Sequence, residues 1–131
     1  MKGLGMLVSA IFFGTAHGAC PRGTDHDVYF EKNSSILRSS EIHRLANWNI
    51  ENAIRFPRQG ILIIVGNAES LETNAKNLSR ARAEIVVDYF HRTNYIAAEI
   101  IVKDLVYKQS LGALGGSFMR TELEMAPPCV R

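Results

Sequence analysis

Five consecutive apolar residues, Ile61-Leu62-Ile63-Ile64-Val65, stand between Gly60 and Gly66. All but Leu62 are β-branched, which suits a pleated strand, and the run is too short for an independent helix. The run predicts a central strand buried on both faces. Such a strand needs other strands beside it and a helical layer over it, which restricts the chain to an α/β architecture.

The surrounding sequence supplies both. Asp27-Val28-Tyr29-Phe30 is a short β-prone run with Val28 and Phe30 on one face. Ser39 or Ser40 before Glu41 reads as a helix start, a capping hydroxyl followed by a first-turn carboxylate. Ile42, Leu45, Ala46 and Ala53 then recur at helical spacing up to Pro57, with Trp48 off that stripe at an edge of the core. Asn67 to Asn77 reads as a polar loop, Leu78 to His91 as a second helix and Ile100 to Tyr107 as a third strand. After the glycine-rich stretch from Gly112 to Ser117, Thr121, Leu123 and Met125 alternate with Arg120, Glu122 and Glu124, giving a last strand with one apolar face. The predicted order is β-α-β-α-β-β, an α+β sandwich whose mixed sheet carries its helices on one face. The last two strands are expected to form a hairpin.

At 131 residues there is room for one domain, and 47% hydrophobic with 21% charged residues is ordinary globular usage. A net charge of +2, with Lys/Arg interleaved among Asp/Glu, argues against a nucleic-acid partner. Residues 1–18 follow the three-part pattern of a secretory signal peptide: Lys2, an uncharged apolar run from Leu4 to Phe13, and a small-residue exit at Ala16-His17-Gly18. The run is well short of the ~20 residues that span a bilayer, so the mature chain is expected in the periplasm with no transmembrane span. Cys20 and Cys129, the only cysteines, sit at the two ends of that chain. In an oxidising compartment they are expected to form a disulfide. The alternative is lipidation at Cys20 and outer-membrane attachment, since Gly18-Ala19-Cys20 resembles the end of a lipobox, with His17 against it. The expected organisation is a signal peptide at 1–18, a segment with Cys20 at 19–26, the folded domain at 27–126 and a tail with Cys129 at 127–131.

Two residues break the pattern. On the second helix Leu78, Ala81, Ile85 and Tyr89 form one stripe, and Arg82 falls inside it, roughly 40° from Leu78. A guanidinium on an apolar face must snorkel, pair with a carboxylate or bind something. Taken alone, the ion pair is the leading reading. Glu69 follows the buried strand at its carboxyl end, where open α/β sheets place their ligands. A carboxylate and a guanidinium flanking one crevice suit a zwitterion, the first taking an ammonium and the second a carboxylate.

These segments carry a resemblance. Gly66-Asn67-Ala68-Glu69 looks like the Gly-His/Tyr-Ala/Thr-Asp segment of OmpA-like domains, the kind found in OmpA C-terminal regions and peptidoglycan-associated lipoproteins. Leu78-Ser79-Arg80-Ala81-Arg82-Ala83 with Val86-Val87-Asp88-Tyr89-Phe90 is similar to that family's Leu-Ser-x-x-Arg-Ala helix. Val28-Tyr29-Phe30 and Arg120-Thr121-Glu122-Leu123 resemble its opening and closing strands. The match runs from about Asp27 to Met125. The resemblance implies a non-catalytic, peptidoglycan-binding domain that needs no cofactor. In it Glu69 and Arg82 hold the diaminopimelate side chain of stem peptides, with Asn67, Asn74 and Leu78 beside them. Here Glu69 replaces the family's Asp, the intervening loop is two residues shorter, and Ala75 replaces an Asn, with Asn74 adjacent. The alternative is a structural or interaction module of a periplasmic assembly whose wall site is degenerate, with other envelope proteins as partners. An enzyme is disfavoured: His26, His43 and His91 lie in separate elements without metal spacing, and Gly115-Gly116-Ser117 is not a nucleophile elbow.

Overall fold

The computed structural model describes residues 20, 22–57, 60–93, 99–108 and 117–129. The expected signal peptide and most of the glycine-rich stretch lie outside them. Six elements follow in the order β1 (Thr24–Tyr29), α1 (Ser39–Arg55), β2 (Ile61–Glu69), α2 (Ala75–Arg92), β3 (Glu99–Tyr107) and β4 (Arg120–Ala126). They build a four-stranded mixed sheet in the order β1-β4-β2-β3, with the helices on one face.

The expected β3–β4 hairpin does not form. Instead β4 enters between β1 and β2, antiparallel to both, while β3 lies parallel to β2 at the sheet edge. The alternating pattern of β4 explains its central place. Thr121, Leu123 and Met125 face the helices opposite Gly66, Ile64 and Leu62 of β2, while Glu122 and Glu124 face outward. Strand β3 exposes Val102, Leu105 and Val106 and suits an edge. The centre of the sheet must have apolar side chains on the helix side, and β4 meets that demand better.

Strand β2 is not buried on both faces as expected. Leu62 and Ile64 are fully buried, whereas Ile61 is exposed and Ile63 and Val65 are half-buried on the face without helices. The strand also runs on to Glu69, through residues read as loop, and α2 begins at Ala75, three residues before Leu78.

The helix faces are rotated from the expected ones. In α1 the buried residues are Glu41, Leu45, Trp48 and Asn52, while Ile42 and Ala53 are exposed. Trp48 is therefore core, stacked on His26 and edge-on to Phe90. Polar residues at both ends of this stripe hide it from an apolar-periodicity reading. The helix starts at Ser39 without a capping hydroxyl; its N-cap is Arg38, with no side-chain hydrogen bond. In α2 the buried line is Ser79, Arg82, Ala83, Val86 and Phe90, which places Arg82 nearer the sheet than the predicted stripe does.

A tight contact fixes α2 on the sheet. A Cβ at Gly66 would lie 2.0 Å from the Ser79 carbonyl oxygen and 2.7 Å from the Ala83 amide nitrogen, so only glycine admits this approach. At the opposite end of the fold Cys20 and Cys129 are bonded, S–S 2.04 Å, across 109 residues of chain. This is the pairing expected in preference to lipidation.

Candidate functional site

At the carboxyl end of β2, two loops are stitched together around Arg82. One is the β1–α1 connection, in which Asn33 adopts a left-handed conformation (φ 60°). The other is the short turn from Ser70 to Asn74, closed by Glu72 N–H donating to the Glu69 carbonyl (2.9 Å) and ending on left-handed Asn74 (φ 52°). Asparagine tolerates this region better than other side-chain-bearing residues. The Thr73 amide donates to Asn33 Oδ1 (2.8 Å), and the Asn33 amide donates to Glu72 Oε2 (2.8 Å).

Arg82 lies at the centre with no solvent exposure. Its Nε donates to the Ser34 carbonyl (2.8 Å), Nη1 to the Asn67 carbonyl (3.0 Å) and Nη2 to the Glu31 carbonyl (3.1 Å). The two remaining N–H groups take the Glu72 carboxylate as a fork, Nη1 to Oε1 at 2.8 Å and Nη2 to Oε2 at 2.6 Å. All five guanidinium donors are thereby used. The Phe30 ring lies beneath, 5.4 Å from the guanidinium carbon. Burial alone would raise the Glu72 pKa. Hydrogen bonds from Arg82 and from the Glu69 and Asn33 amides, with the Arg82 charge, outweigh it and hold the carboxyl below its usual range.

Glu69 points elsewhere. Its Oε2 accepts the Phe118 amide (3.1 Å), and among the described residues no donor reaches Oε1. Phe118 stacks on Tyr107 (ring centroids 4.1 Å apart), and Tyr107 is the register partner of Glu69 on β3. Glu69 meets the Arg82 cluster through its backbone, its amide donating to Glu72 Oε1 (3.0 Å). The carboxylate that pairs with Arg82 is thus Glu72, in the segment expected to be a polar loop, and not Glu69. The only hint was its place, a second acidic residue three positions beyond Glu69 in the turn.

The other expected residues spread around this centre. Asn67 is fully buried, with Nδ2 donating to the Val65 and Arg120 carbonyls (both 3.1 Å). Its Oδ1 is buried without a partner among the described residues. Asn74 is exposed, its carbonyl accepting the Leu78 amide (3.0 Å), and Leu78 is half-buried. Among the described residues no group of three or more His, Cys, Asp or Glu is placed to hold a metal ion. No described helix is long and apolar enough to cross a membrane.

This arrangement of sheet and helices recurs in solved structures. The OmpA-like domain of FopA1 from Francisella tularensis superposes with a TM-score of 0.59 at 21% identity, covering 81% of this chain and 73% of that one. The chain has the OmpA-like fold. The cell wall anchor of the T6SS from Pseudomonas aeruginosa gives a TM-score of 0.59 at 16% identity, covering 82% of this chain and 89% of the anchor. An outer membrane protein from Borrelia burgdorferi gives 0.53 at 16%, with 79% and 86% covered. No family model and no curated protein matches the sequence. The OmpA-like likeness is therefore one of fold.

Proposed function

We propose that this OmpA-like chain is a non-catalytic domain of the bacterial envelope that associates with peptidoglycan. In this reading Glu69 and Arg82 receive the two ends of the diaminopimelate side chain. The observation that carries it is the grip of Arg82 on a carboxylate, two-pronged at 2.8 and 2.6 Å, at the end of β2 where the fold converges its loops. A guanidinium held in place by three backbone carbonyls is pre-organised to take a ligand carboxylate in the same manner. Glu69 Oε1, beside the Tyr107–Phe118 stack, is the acceptor for the ammonium. The cell-wall role in the name of the T6SS anchor supports the same reading. Export to the periplasm accords with the bonded cysteine pair, which belongs in an oxidising compartment.

A specific observation favours a second reading. Arg82 is wholly buried and each of its donors already has an acceptor within the chain. Such an arginine can be purely structural, leaving a domain that keeps the fold and serves as an interaction module. Co-sedimentation with purified sacculi decides between the two. Retention of the parent chain, with loss in a folded Glu69→Ala variant, supports the wall site. An unretained, folded parent supports the interaction module.

A further inference from the structure

We infer that Glu72 is a built-in competitor for the site: its carboxylate occupies the Arg82 guanidinium until the carboxylate of a ligand displaces it. This inference rests on the wall-binding reading above and names how that site is controlled.

The five bonds of Arg82 are of two kinds. Those to the Ser34, Asn67 and Glu31 carbonyls go to backbone of the loop after β1 and of β2 itself, and position the guanidinium. The two to Glu72 go to a side chain on a five-residue turn. In that turn Ser70, Leu71, Thr73 and Asn74 are exposed, and Leu71 is 71% accessible at its tip. Glu72 is the one residue of the turn directed inward. No residue of the turn belongs to the core of Leu62, Ile64, Val86 and Phe90, so the turn can carry Glu72 off Arg82 while that core keeps its residues.

The exchange conserves charge and hydrogen bonds at the guanidinium. A ligand carboxylate accepts from the same two N–H groups that Glu72 releases, so Arg82 is never left as an unpaired buried cation. The Asn33 and Glu69 amides lose their acceptors, the Glu72 oxygens, and the turn's own Thr73 amide leaves Asn33 Oδ1 as it lifts. The apparent affinity is cut to the fraction of molecules in which Glu72 is unseated. A ligand with an ammonium but no carboxylate leaves Glu72 where it is, so the competitor sharpens selection for a zwitterion.

Two measurements on the full chain test this. The amide resonances of Asn33 and Glu69 are followed while meso-diaminopimelate is added, with 1,5-diaminopentane, which has ammonium groups and no carboxylate, as control. Sacculus binding is then compared between the parent and Glu72→Gln. If Glu72 is displaced, both amides move with diaminopimelate and not with diaminopentane, and Glu72→Gln binds about tenfold more tightly or better. Binding of the parent that leaves both amides in place, with no tightening in Glu72→Gln, overturns the inference and leaves the wall-binding reading standing. Absence of binding by both proteins overturns both. Should Glu72→Gln not fold, the amide titration of the parent decides alone.

Discussion

Glu72 and Arg82 form a buried, two-pronged ion pair that ties the turn after β2 to the first turns of α2 and to the loop after β1. Neither side chain is more than 2% exposed. An ion pair so deeply placed repays its desolvation only through complete hydrogen bonding, and this one is complete on both partners.

Removing one partner should therefore be costly. Arg82→Ala leaves a buried carboxylate unpaired, and a loss of about 3–5 kcal/mol is expected. The double variant Glu72→Leu/Arg82→Met, which removes both charges, should recover a large part of that loss. Urea unfolding of the two variants beside the parent checks it; equal destabilisation of both would mean that packing, not charge, dominates here.

Acidification should weaken the fold in two steps of the same sign. His26 is held below its ordinary 6.5 by burial and the nearby Arg44 charge, against the opposing pull of Asp27 and Glu41. A depressed folded-state pKa contributes stability that is present above the unfolded value and lost as pH falls through the folded one. His26 thus costs stability below about 6.5, and Glu72, also depressed, costs more below its ordinary 4.5. His26→Phe keeps a ring against Trp48 and should remove the first step while leaving the second. Unfolding midpoints at a series of pH values would show whether the upper step persists in the variant.

Gly66→Ala should be destabilising by about 1–3 kcal/mol or more, because the new methyl meets the backbone of Ser79 and Ala83 and α2 must shift to admit it. Since α2 carries Arg82, the same variant should also disturb the Asn33 and Glu69 amides. A thermal midpoint unchanged from the parent would contradict so close an approach of α2 to β2.

Reduction of Cys20–Cys129 should lower stability by up to about 4–5 kcal/mol, since the bond closes nearly the whole domain into one loop. Denaturant titration with and without reductant measures this, and a paired Cys20→Ser/Cys129→Ser variant should match the reduced protein.

Much of this fold is legible in the sequence because each element carries its own local pattern. The apolar run before Gly66, the alternation from Arg120 to Met125 and the helical repeat of Leu78, Ala81, Ile85 and Tyr89 all specify an element without reference to a partner, although the last marks the existence of α2 better than its buried face. Which strand neighbours which is a different matter. Strands β3 and β4 are consecutive, but β4 is drawn between β1 and β2 because it presents a full apolar face and β3 does not. Arg82 stood out as a charge on a buried face, yet its partner did not, because Glu69 and Glu72 are chemically alike. What separates them is a turn that directs Glu72 inward, held by Asn33, whose amide donates to Glu72 and whose Oδ1 accepts the amide of Thr73, forty residues away in the chain, while Glu69 is left facing Phe118. No local pattern carries that information.

Association of this chain with the diaminopimelate of the wall is tested by comparing two kinds of sacculi. Purified sacculi with diaminopimelate and sacculi with lysine at the same position differ at the carboxylate assigned to Arg82. A chain that places Arg82 on that carboxylate sediments with the first and stays in solution with the second. Equal retention on both, or retention on neither by a folded chain, would contradict that association.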